Sequence, residues 1–130
     1  MILVSACLLG ARTRYDAGKL SVPDTLKKLI ESGECIVPVC PEQLGGLATP
    51  RCRSAVHWKG DCPTVINEMG RDVTEEFLKG AAEALRIAET LGIRRAIFKS
   101  RSPSCGKDGV AARLLNEQGI EVDIIDAEKE

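Results

Sequence analysis

Three cysteines each lie in a Gly/Pro-rich loop that comes after a short apolar run. Cys7 follows ILVSA, Cys40 follows CIVPV, and Cys105 follows RAIF and the loop letters KSRSPS. If the three runs are neighbouring parallel strands, their loops open at one edge of one sheet, where open α/β folds bind ligands. Three thiolates that meet there form a soft-metal site with one position left without a protein ligand. An iron–sulfur cluster or a zinc ion is the natural occupant of such a site.

The size and composition of the chain are those of one globular domain spanning residues 1–130. The hydrophobic fraction is 44% and the charged fraction is 28%, which is enough apolar material for a core. Aromatic residues make up only 3% of the chain, and its formal net charge is −1. These values argue against a stacking platform for single-stranded nucleic acid and against a large nonspecific nucleic-acid surface.

The N-terminal letters LVSAC resemble a lipoprotein cleavage box. No basic region precedes them, and the apolar stretch is too short for a secretory signal. No stretch approaches the length of a transmembrane helix, so no membrane partner is expected. We therefore expect a cytoplasmic location, in which the six cysteines are reduced thiols or metal ligands rather than disulfides.

Apolar periodicity predicts four strands and three helices that alternate along the chain. They lie near residues 2–5, 23–33, 36–39, 72–92, 95–99, 109–118 and 122–125. The segment 40–72 is rich in Gly and Pro and is expected to be a long loop, in which Val65 and Ile66 form a short edge strand. Alternating strands and helices predict an α/β fold: a three-layer, open, mostly parallel sheet with flanking helices, Rossmann-like in type.

Charge is distributed unevenly between the expected site loops and the rest of the chain. Residues 6–22, 40–62 and 99–108 carry nine Lys/Arg and four Asp/Glu, a net +5, whereas the remainder carries a net −6. The loops would therefore form a positive rim on an acidic body, which suits an anionic substrate or a negatively charged cluster. The alternative is that these cations only solvate the loops.

Glu42 is the strongest candidate for acid–base chemistry. It lies two residues past Cys40, and Pro41 restricts the backbone between them. This position would place the carboxyl beside the metal, where it could donate or accept a proton. The alternative is a structural role, in which Glu42 caps the turn formed by residues 45–46.

Two serines flank Pro103 just before Cys105. Ser102 and Ser104 could each donate a hydrogen bond into the site, and each could instead cap the turn that follows. Sequence spacing alone does not choose between these roles.

The other three cysteines give weaker signals. Cys35 begins a predicted strand and is expected to be a buried small hydrophobe. Cys52 and Cys62 flank a segment that contains His57, and these residues could form a second metal site. A pair of partly exposed thiols is the favoured interpretation. There is no CxxC pair, which excludes thioredoxin chemistry and the usual zinc ribbon.

Four blocks of the sequence together resemble one family. The blocks SACLLGARTRYDAG, PVCPEQLGGLATPR, DVTEEFLKGA and SPSCGKDGVAARLL occur in the order found in thiouracil desulfidase-like proteins (domain of unknown function 523). This resemblance implies a 4Fe-4S cluster held by three cysteines, whose fourth iron is open to the sulfur of a thiolated nucleobase. The cluster ligands would be Cys7, Cys40 and Cys105. The acid–base glutamate would be Glu42, and the active-site serine would be Ser102.

The function implied by the resemblance is that of an iron–sulfur-dependent desulfidase, a hydrolase without net redox change. The substrate would be a nucleobase of the 2- or 4-thiouracil type, or a similar small thioamide, and the product would include sulfide. RNA-borne thiouridine is a further substrate option. Two alternatives remain open: a noncatalytic module that carries a cluster or sulfide, and a zinc hydrolase with three cysteine ligands.

The chain departs from the family pattern in two places. Thr13 stands where the family usually has a second cysteine in the first loop. The family also usually carries a longer segment after SPSCG, whereas KDGVAARLL follows here at once. We expect a substrate pocket that lacks one wall or lid, a feature that favours the noncatalytic alternative.

Overall fold

A computed structural model describes residues 1–127 and contains six strands and four α-helices in that range. The strands are β1 (Ile2–Ser5), β2 (Ile36–Val39), β3 (Ser54–Lys59), β4 (Cys62–Asn67), β5 (Arg95–Lys99) and β6 (Glu121–Ile125). The helices are α1 (Asp24–Glu31), α2 (Pro41–Leu44), α3 (Thr74–Leu91) and α4 (Val110–Glu117), with one 3-10 helix at Ala6–Leu9. None of these helices is long and apolar enough to cross a membrane.

The central sheet has four strands in the order β2-β1-β5-β6, and all of its pairs are parallel. Leu3 at the middle of β1 is aligned with Val37 of β2 on one side and with Ala96 of β5 on the other. The predicted α/β class and the parallel sheet with flanking helices are confirmed.

Both faces of the sheet are covered, because side chains alternate along each strand. On one face, Ile2, Val4 and Ile97 pack with Leu26 of α1. On the other face, Leu3 belongs to the larger core cluster, to which α3 and α4 contribute buried side chains. The result is three layers, with α1 on one side of the sheet and α3 and α4 on the other.

The order of the strands creates a topological switch point. The chain passes from β1 outward to β2, then crosses back over β1 to reach β5 and continues to β6. The connections that follow β1 and β5 therefore lead away in opposite directions and leave a crevice at the carboxyl ends of these two strands. Open α/β sheets bind ligands in such a crevice.

The segment 40–72 differs from the predicted loop. It begins with the short helix α2 and continues into an antiparallel hairpin, β3–β4, which forms a separate two-stranded sheet. Val65 and Ile66 do lie in a strand, but that strand pairs with β3 and does not extend the parallel sheet. Pro41 is compatible with a helix because it occupies the first turn, where its missing N–H is not needed.

The hairpin is attached to the body at the start of α4. Trp58 donates from Nε1 to the Asp108 carbonyl oxygen at 2.7 Å, and the Arg113 guanidinium lies 4.1 Å from the centroid of the Trp58 ring. Arg113 also pairs with Asp61 at the tip of the hairpin. The hairpin thus contacts the chain just after the Cys105 loop.

Helix α2 lies against α3 at two glycines. A Cβ on Gly45 would be 1.9 Å from the Glu76 carbonyl oxygen, and a Cβ on Gly80 would be 1.8 Å from the Pro41 carbonyl oxygen. Such distances are far below van der Waals contact, so only glycine permits the two backbones to approach this closely. This contact sets the position of the helix that carries Glu42.

Candidate active site

A cavity of about 460 Å³ opens at the carboxyl ends of β1, β2 and β5. The five residues that the family resemblance assigns to the site all line it: Cys7, Cys40, Cys105, Glu42 and Ser102. The three cysteine loops therefore open at one edge of one sheet, as the sequence predicted. The chemical roles of the five residues stay predictions.

Each of the three cysteines reaches the cavity from a different element. Cys7 lies in the 3-10 helix that follows β1, and Cys40 is the residue between β2 and α2. Cys105 lies in the loop between β5 and α4. Cys7 and Cys105 are buried, and Cys40 is half-buried. The thiol of Cys40 lies 3.8 Å from the Thr13 carbonyl oxygen. The parallel strand ends therefore collect three thiols at one place.

Burial keeps two of these thiols protonated. Desolvation raises the pKa of Cys105 to about 12, although the hydroxyls of Ser5 and Ser104 oppose this by hydrogen bonding to its sulfur. Desolvation also raises the pKa of Cys7 to about 11, and the positive charge of Lys99 opposes it. A metal group that binds these sulfurs must displace their protons, because thiolates are the ligands.

The type of donor in the cavity, three cysteine sulfurs, fits an iron–sulfur cluster, which Cys thiolates hold. Within residues 1–127, no three His, Cys, Asp or Glu side chains lie close enough together to hold one metal ion. A zinc ion would require its three sulfurs within one small coordination sphere, each at about 2.3 Å from the metal. The geometry therefore does not support the zinc alternative.

The cavity is positively charged, as the loop charges predicted. Its lining contains one carboxylate, that of Glu42, and the five cations Arg14, Arg51, Arg53, Lys99 and Arg101. This excess of cations favours anions, including a cluster whose thiolate ligands give it negative charge.

Both carboxylate oxygens of Glu42 have partners, and the residue is only 8% exposed. Oε1 accepts a hydrogen bond from Arg51 Nε at 3.0 Å, and Oε2 accepts one from the Ser104 hydroxyl at 2.9 Å. The alternative of a side-chain cap for the turn at 45–46 is not supported, because the carboxylate is directed to these two partners.

Arg51 connects three parts of the site and was not singled out from the sequence. Besides Glu42, it donates from Nη2 to the Thr13 carbonyl oxygen at 2.8 Å and from Nη1 to the Thr49 hydroxyl at 2.8 Å. Its side chain is 8% exposed. The only available signal was its position at the end of the LATPR block.

The two serines of the Cys105 loop have different surroundings. Ser102 is half-buried at the cavity wall, and its Oγ accepts hydrogen bonds from the backbone N–H groups of Ser104 and Cys105 at 3.2 and 3.0 Å. Ser104 is 1% exposed, and its hydroxyl contacts Glu42. Ser102 therefore caps a turn and lies at the cavity wall, and its role in the chemistry of the site stays a prediction.

The predictions for the remaining cysteines are partly wrong. Cys35 is exposed rather than buried, because it precedes an edge strand of the sheet. Cys52 is half-buried and lines the cavity, whereas Cys62 and His57 are exposed on the hairpin. No second metal site is formed by Cys52, Cys62 and His57 among the described residues.

One aromatic ring belongs to the cavity lining. Two guanidinium groups lie near the Tyr15 ring, that of Arg53 at 4.7 Å and that of Arg14 at 5.9 Å from its centroid. Arg53 also donates to the Tyr15 hydroxyl. These cation–π contacts fix a flat ring at the wall of the cavity.

Comparisons with known proteins show the family of this chain and a solved structure with a similar fold. The sequence model of the family described as 2-thiouracil desulfurase matches residues 2–127. The uncharacterized protein YbbK of Bacillus subtilis (strain 168) is 33% identical over 143 residues, covering 94% of this chain and 93% of YbbK. The solved structure of TudS, described as a [4Fe-4S]-dependent thiouracil desulfidase, has a TM-score of 0.83 and 38% sequence identity. That match covers 95% of this chain and 89% of TudS.

Proposed function

Because the chain belongs to the 2-thiouracil desulfurase family, we propose that it removes sulfur from a thiolated uracil by hydrolysis. In this reaction a C=S bond and water give a C=O bond and hydrogen sulfide, so no net oxidation or reduction takes place. The observation that carries the proposal is the meeting of three thiols from three loops in one cavity beside a buried carboxylate. The similarity to TudS supports the same assignment.

Cys7, Cys40 and Cys105 are the residues that would hold a 4Fe-4S cluster. Their soft sulfur donors, the surrounding cations and the hydroxyl groups near Cys105 all suit such a group. When bound by three cysteines, the cluster supplies one iron without a protein ligand, a Lewis acid that prefers sulfur over water. A reducing cytoplasm, the location expected from the sequence, would keep the three thiols available as ligands.

Glu42 is the residue that would move protons. Its carboxylate is fixed between Arg51 and Ser104, so it is preorganised and needs no rearrangement before the reaction. Glu42 is the final acceptor of the proton lost by the water that attacks the thiocarbonyl carbon, and it is the source of the proton that the departing sulfur gains. The carboxylate is regenerated in each cycle, as general acid–base catalysis requires.

Ser102 would orient the substrate. Its Oγ is fixed by two backbone N–H donors, and the residue lies at the cavity wall. A hydroxyl in this position can contact a polar edge of the pyrimidine. The cations Arg14 and Lys99 favour the anionic, thiolate form of a thiouracil in the same cavity.

A noncatalytic module that carries a cluster or sulfide is the second candidate. It is favoured by the short connection between Cys105 and α4, where the family usually has a longer segment. In this chain the hairpin contacts that connection through Trp58 and Asp108 instead. Whether the remaining cavity turns over a substrate separates the two functions.

The experiment is anaerobic reconstitution followed by turnover. The chain is loaded with iron and sulfide, its metal and acid-labile sulfide are counted, and it is incubated with 2-thiouracil, 4-thiouracil or an RNA that contains 4-thiouridine. We expect a brown protein that releases uracil and sulfide from a free thiouracil. A brown protein without turnover of any thiolated base would favour the noncatalytic module, and a colourless protein active with zinc would overturn the proposal.

A further inference from the structure

Three hydrogen-bond contacts run in a line from the cavity wall to the carboxylate. Ser102 Oγ lies 3.1 Å from Ser104 Oγ, and Ser104 Oγ lies 2.9 Å from Glu42 Oε2. Arg51 Nε closes the line on the far side, 3.0 Å from Glu42 Oε1. The line joins residues that are 62 positions apart in the chain.

The direction of these hydrogen bonds follows from counting hydrogens. A serine hydroxyl has one hydrogen, and Ser104 gives its hydrogen to the Glu42 carboxylate. Ser104 Oγ can then only accept from Ser102, whose own acceptor positions receive the two backbone N–H groups of the turn. The contact from Ser104 Oγ to Cys105 Sγ is longer, at 3.8 Å, and therefore weaker than the bond to the carboxylate.

Ser102 is the most exposed of the three residues, and Ser104 and Glu42 are buried. Ser104 is 1% exposed and Glu42 is 8% exposed, whereas Ser102 is half-buried at the cavity wall. Each oxygen of the carboxylate is already engaged by a protein donor. The hydroxyl of Ser102 is the member of the line that a water or substrate in the cavity reaches most readily.

We propose that Ser104 is a positioning residue that relays a proton between Ser102 and Glu42, an inference that rests on the proposed desulfidase function. As Glu42 Oε2 takes the hydroxyl proton of Ser104, Ser104 takes that of Ser102. Ser102 in turn takes one from the attacking water, which replaces the longer of the two backbone N–H contacts to its Oγ, that of Ser104 at 3.2 Å. The net result is one proton moved from the cavity to the carboxylate, with both serines unchanged, and the reverse sequence returns the proton to the departing sulfur.

The test compares Ser104→Ala with a matched control, Ser100→Ala. Ser100 lies in the same loop, does not line the cavity, and has an Oγ that finds no hydrogen-bond partner among the described residues. In Ser104→Ala we expect kcat to fall on the order of 10²-fold while KM changes little, because proton transfer is impaired and substrate contacts remain. Ser100→Ala should retain the wild-type kcat. Ser104→Thr, which keeps a hydroxyl, should recover at least part of the loss.

Two further measurements separate a relay from a merely structural role. The dependence of kcat on the deuterium fraction of the solvent should be curved in the wild type, because several protons move together, and linear in Ser104→Ala. In the cluster-free chain, proton NMR should detect a slowly exchanging hydroxyl that is absent from Ser104→Ala. Iron content should be equal in the wild type and both alanine variants.

Several results would overturn the relay. A Ser104→Ala protein with the wild-type kcat and an unchanged solvent-isotope curve would show that Glu42 exchanges protons directly with the cavity. Loss of iron from Ser104→Ala, or no recovery in Ser104→Thr, would assign Ser104 to holding the Cys105 loop. Absence of turnover in the cluster-loaded wild type would be the failure of the proposed function itself, and it is recognised before any variant is made.

Discussion

At the scale of single residues, the proposed chemistry depends on a carboxylate held between two donors. Glu42 is nearly buried, and a buried anion is tolerated only when it is paired and hydrogen-bonded. Arg51 supplies the opposite charge and Ser104 supplies a hydroxyl. The same contacts that stabilise the anion also fix the direction in which it faces.

Glu42→Gln tests the proton-handling role. The amide keeps the shape of the side chain but cannot exchange a proton in the same way, so iron content and colour should be retained. Turnover of a thiouracil should fall by a factor on the order of 10²–10⁴. Steady-state kinetics with iron analysis measure both quantities. Loss of iron would instead give Glu42 a structural role, and full activity would remove it from the mechanism.

Arg51→Gln tests the buried ion pair. Removing the guanidinium leaves the Glu42 anion without its charge partner, which should lower the free energy of unfolding by about 3–5 kcal/mol. The matched control is Arg71→Gln, whose partner Glu76 lies 3.6 Å away and whose own side chain is 72% exposed. That change should cost about 1 kcal/mol or less. Urea unfolding of the cluster-free chain measures both free energies. Equal losses in the two variants would contradict the greater contribution of the buried Arg51–Glu42 pair to stability.

The sequence predicted some of these residues and missed others for a physical reason. Cys7, Cys40 and Cys105 could be identified because each follows a predicted strand, and Glu42 because it is close to Cys40. Their shared cavity depends only on the parallel order of strands. Arg51 and Ser104 were missed as partners of Glu42 because 9 and 62 residues separate them from it, and only the folded chain brings them together.

At the scale of elements, the position of Glu42 depends on how α2 lies against α3. The two backbones approach at Gly45 and Gly80, where a Cβ would overlap a carbonyl oxygen of the other helix. Helix α2 has only four residues and cannot be stable alone, so this contact with a long helix fixes its place.

Gly80→Ala tests the contact between the two helices. The added methyl would lie 1.8 Å from the Pro41 carbonyl oxygen, so α2 must move. Overpacking of this kind should lower the free energy of unfolding by about 1–3 kcal/mol, even though alanine favours helix more than glycine does. Lys79→Ala, on the exposed side of the same helix, is the control and should be nearly neutral. Unfolding curves that showed Gly80→Ala to be stabilising would contradict the close approach.

The hairpin β3–β4 shows where sequence patterns were insufficient. The Gly and Pro residues of segment 40–72 predicted a loop, but they lie at the ends and turns of short elements rather than inside long ones. Gly60, with φ +61°, lies between β3 and β4 at the turn of the hairpin. Trp58 and Arg113 attach the hairpin to α4 across 55 positions of sequence, a contact that no local pattern reveals.

At the scale of the whole molecule, the parallel sheet brings distant loops to one cavity. The strand order β2-β1-β5-β6 creates the crevice. The three loop segments that line it carry a net charge of +5, whereas the rest of the chain carries a net −6. The fold class, the sheet and the location of the site could be predicted because they depend on the alternation of strands and helices. The separate hairpin sheet depends on long-range packing and could not.

The assignment of cluster ligands is tested by two sets of cysteine variants. Serine at Cys7, Cys40 or Cys105 should each lower the iron bound per chain after anaerobic reconstitution, because a thiolate ligand is lost. The triple variant of Cys35, Cys52 and Cys62 to serine should bind as much iron as the wild type. Cys52 makes this control stringent because it lines the same cavity. Iron lost in step with these three substitutions would show that the ligand assignment is wrong.

The most direct test of hydrolytic desulfuration is the origin of the oxygen atom in the uracil product. Cluster-loaded protein is incubated with 2-thiouracil in water enriched in ¹⁸O, and uracil and sulfide are quantified by mass spectrometry and a colorimetric assay. We expect one ¹⁸O atom in each uracil and one sulfide released per uracil, without an added oxidant or reductant. Uracil without ¹⁸O, or no uracil from a fully loaded protein, would contradict hydrolytic desulfuration at this site.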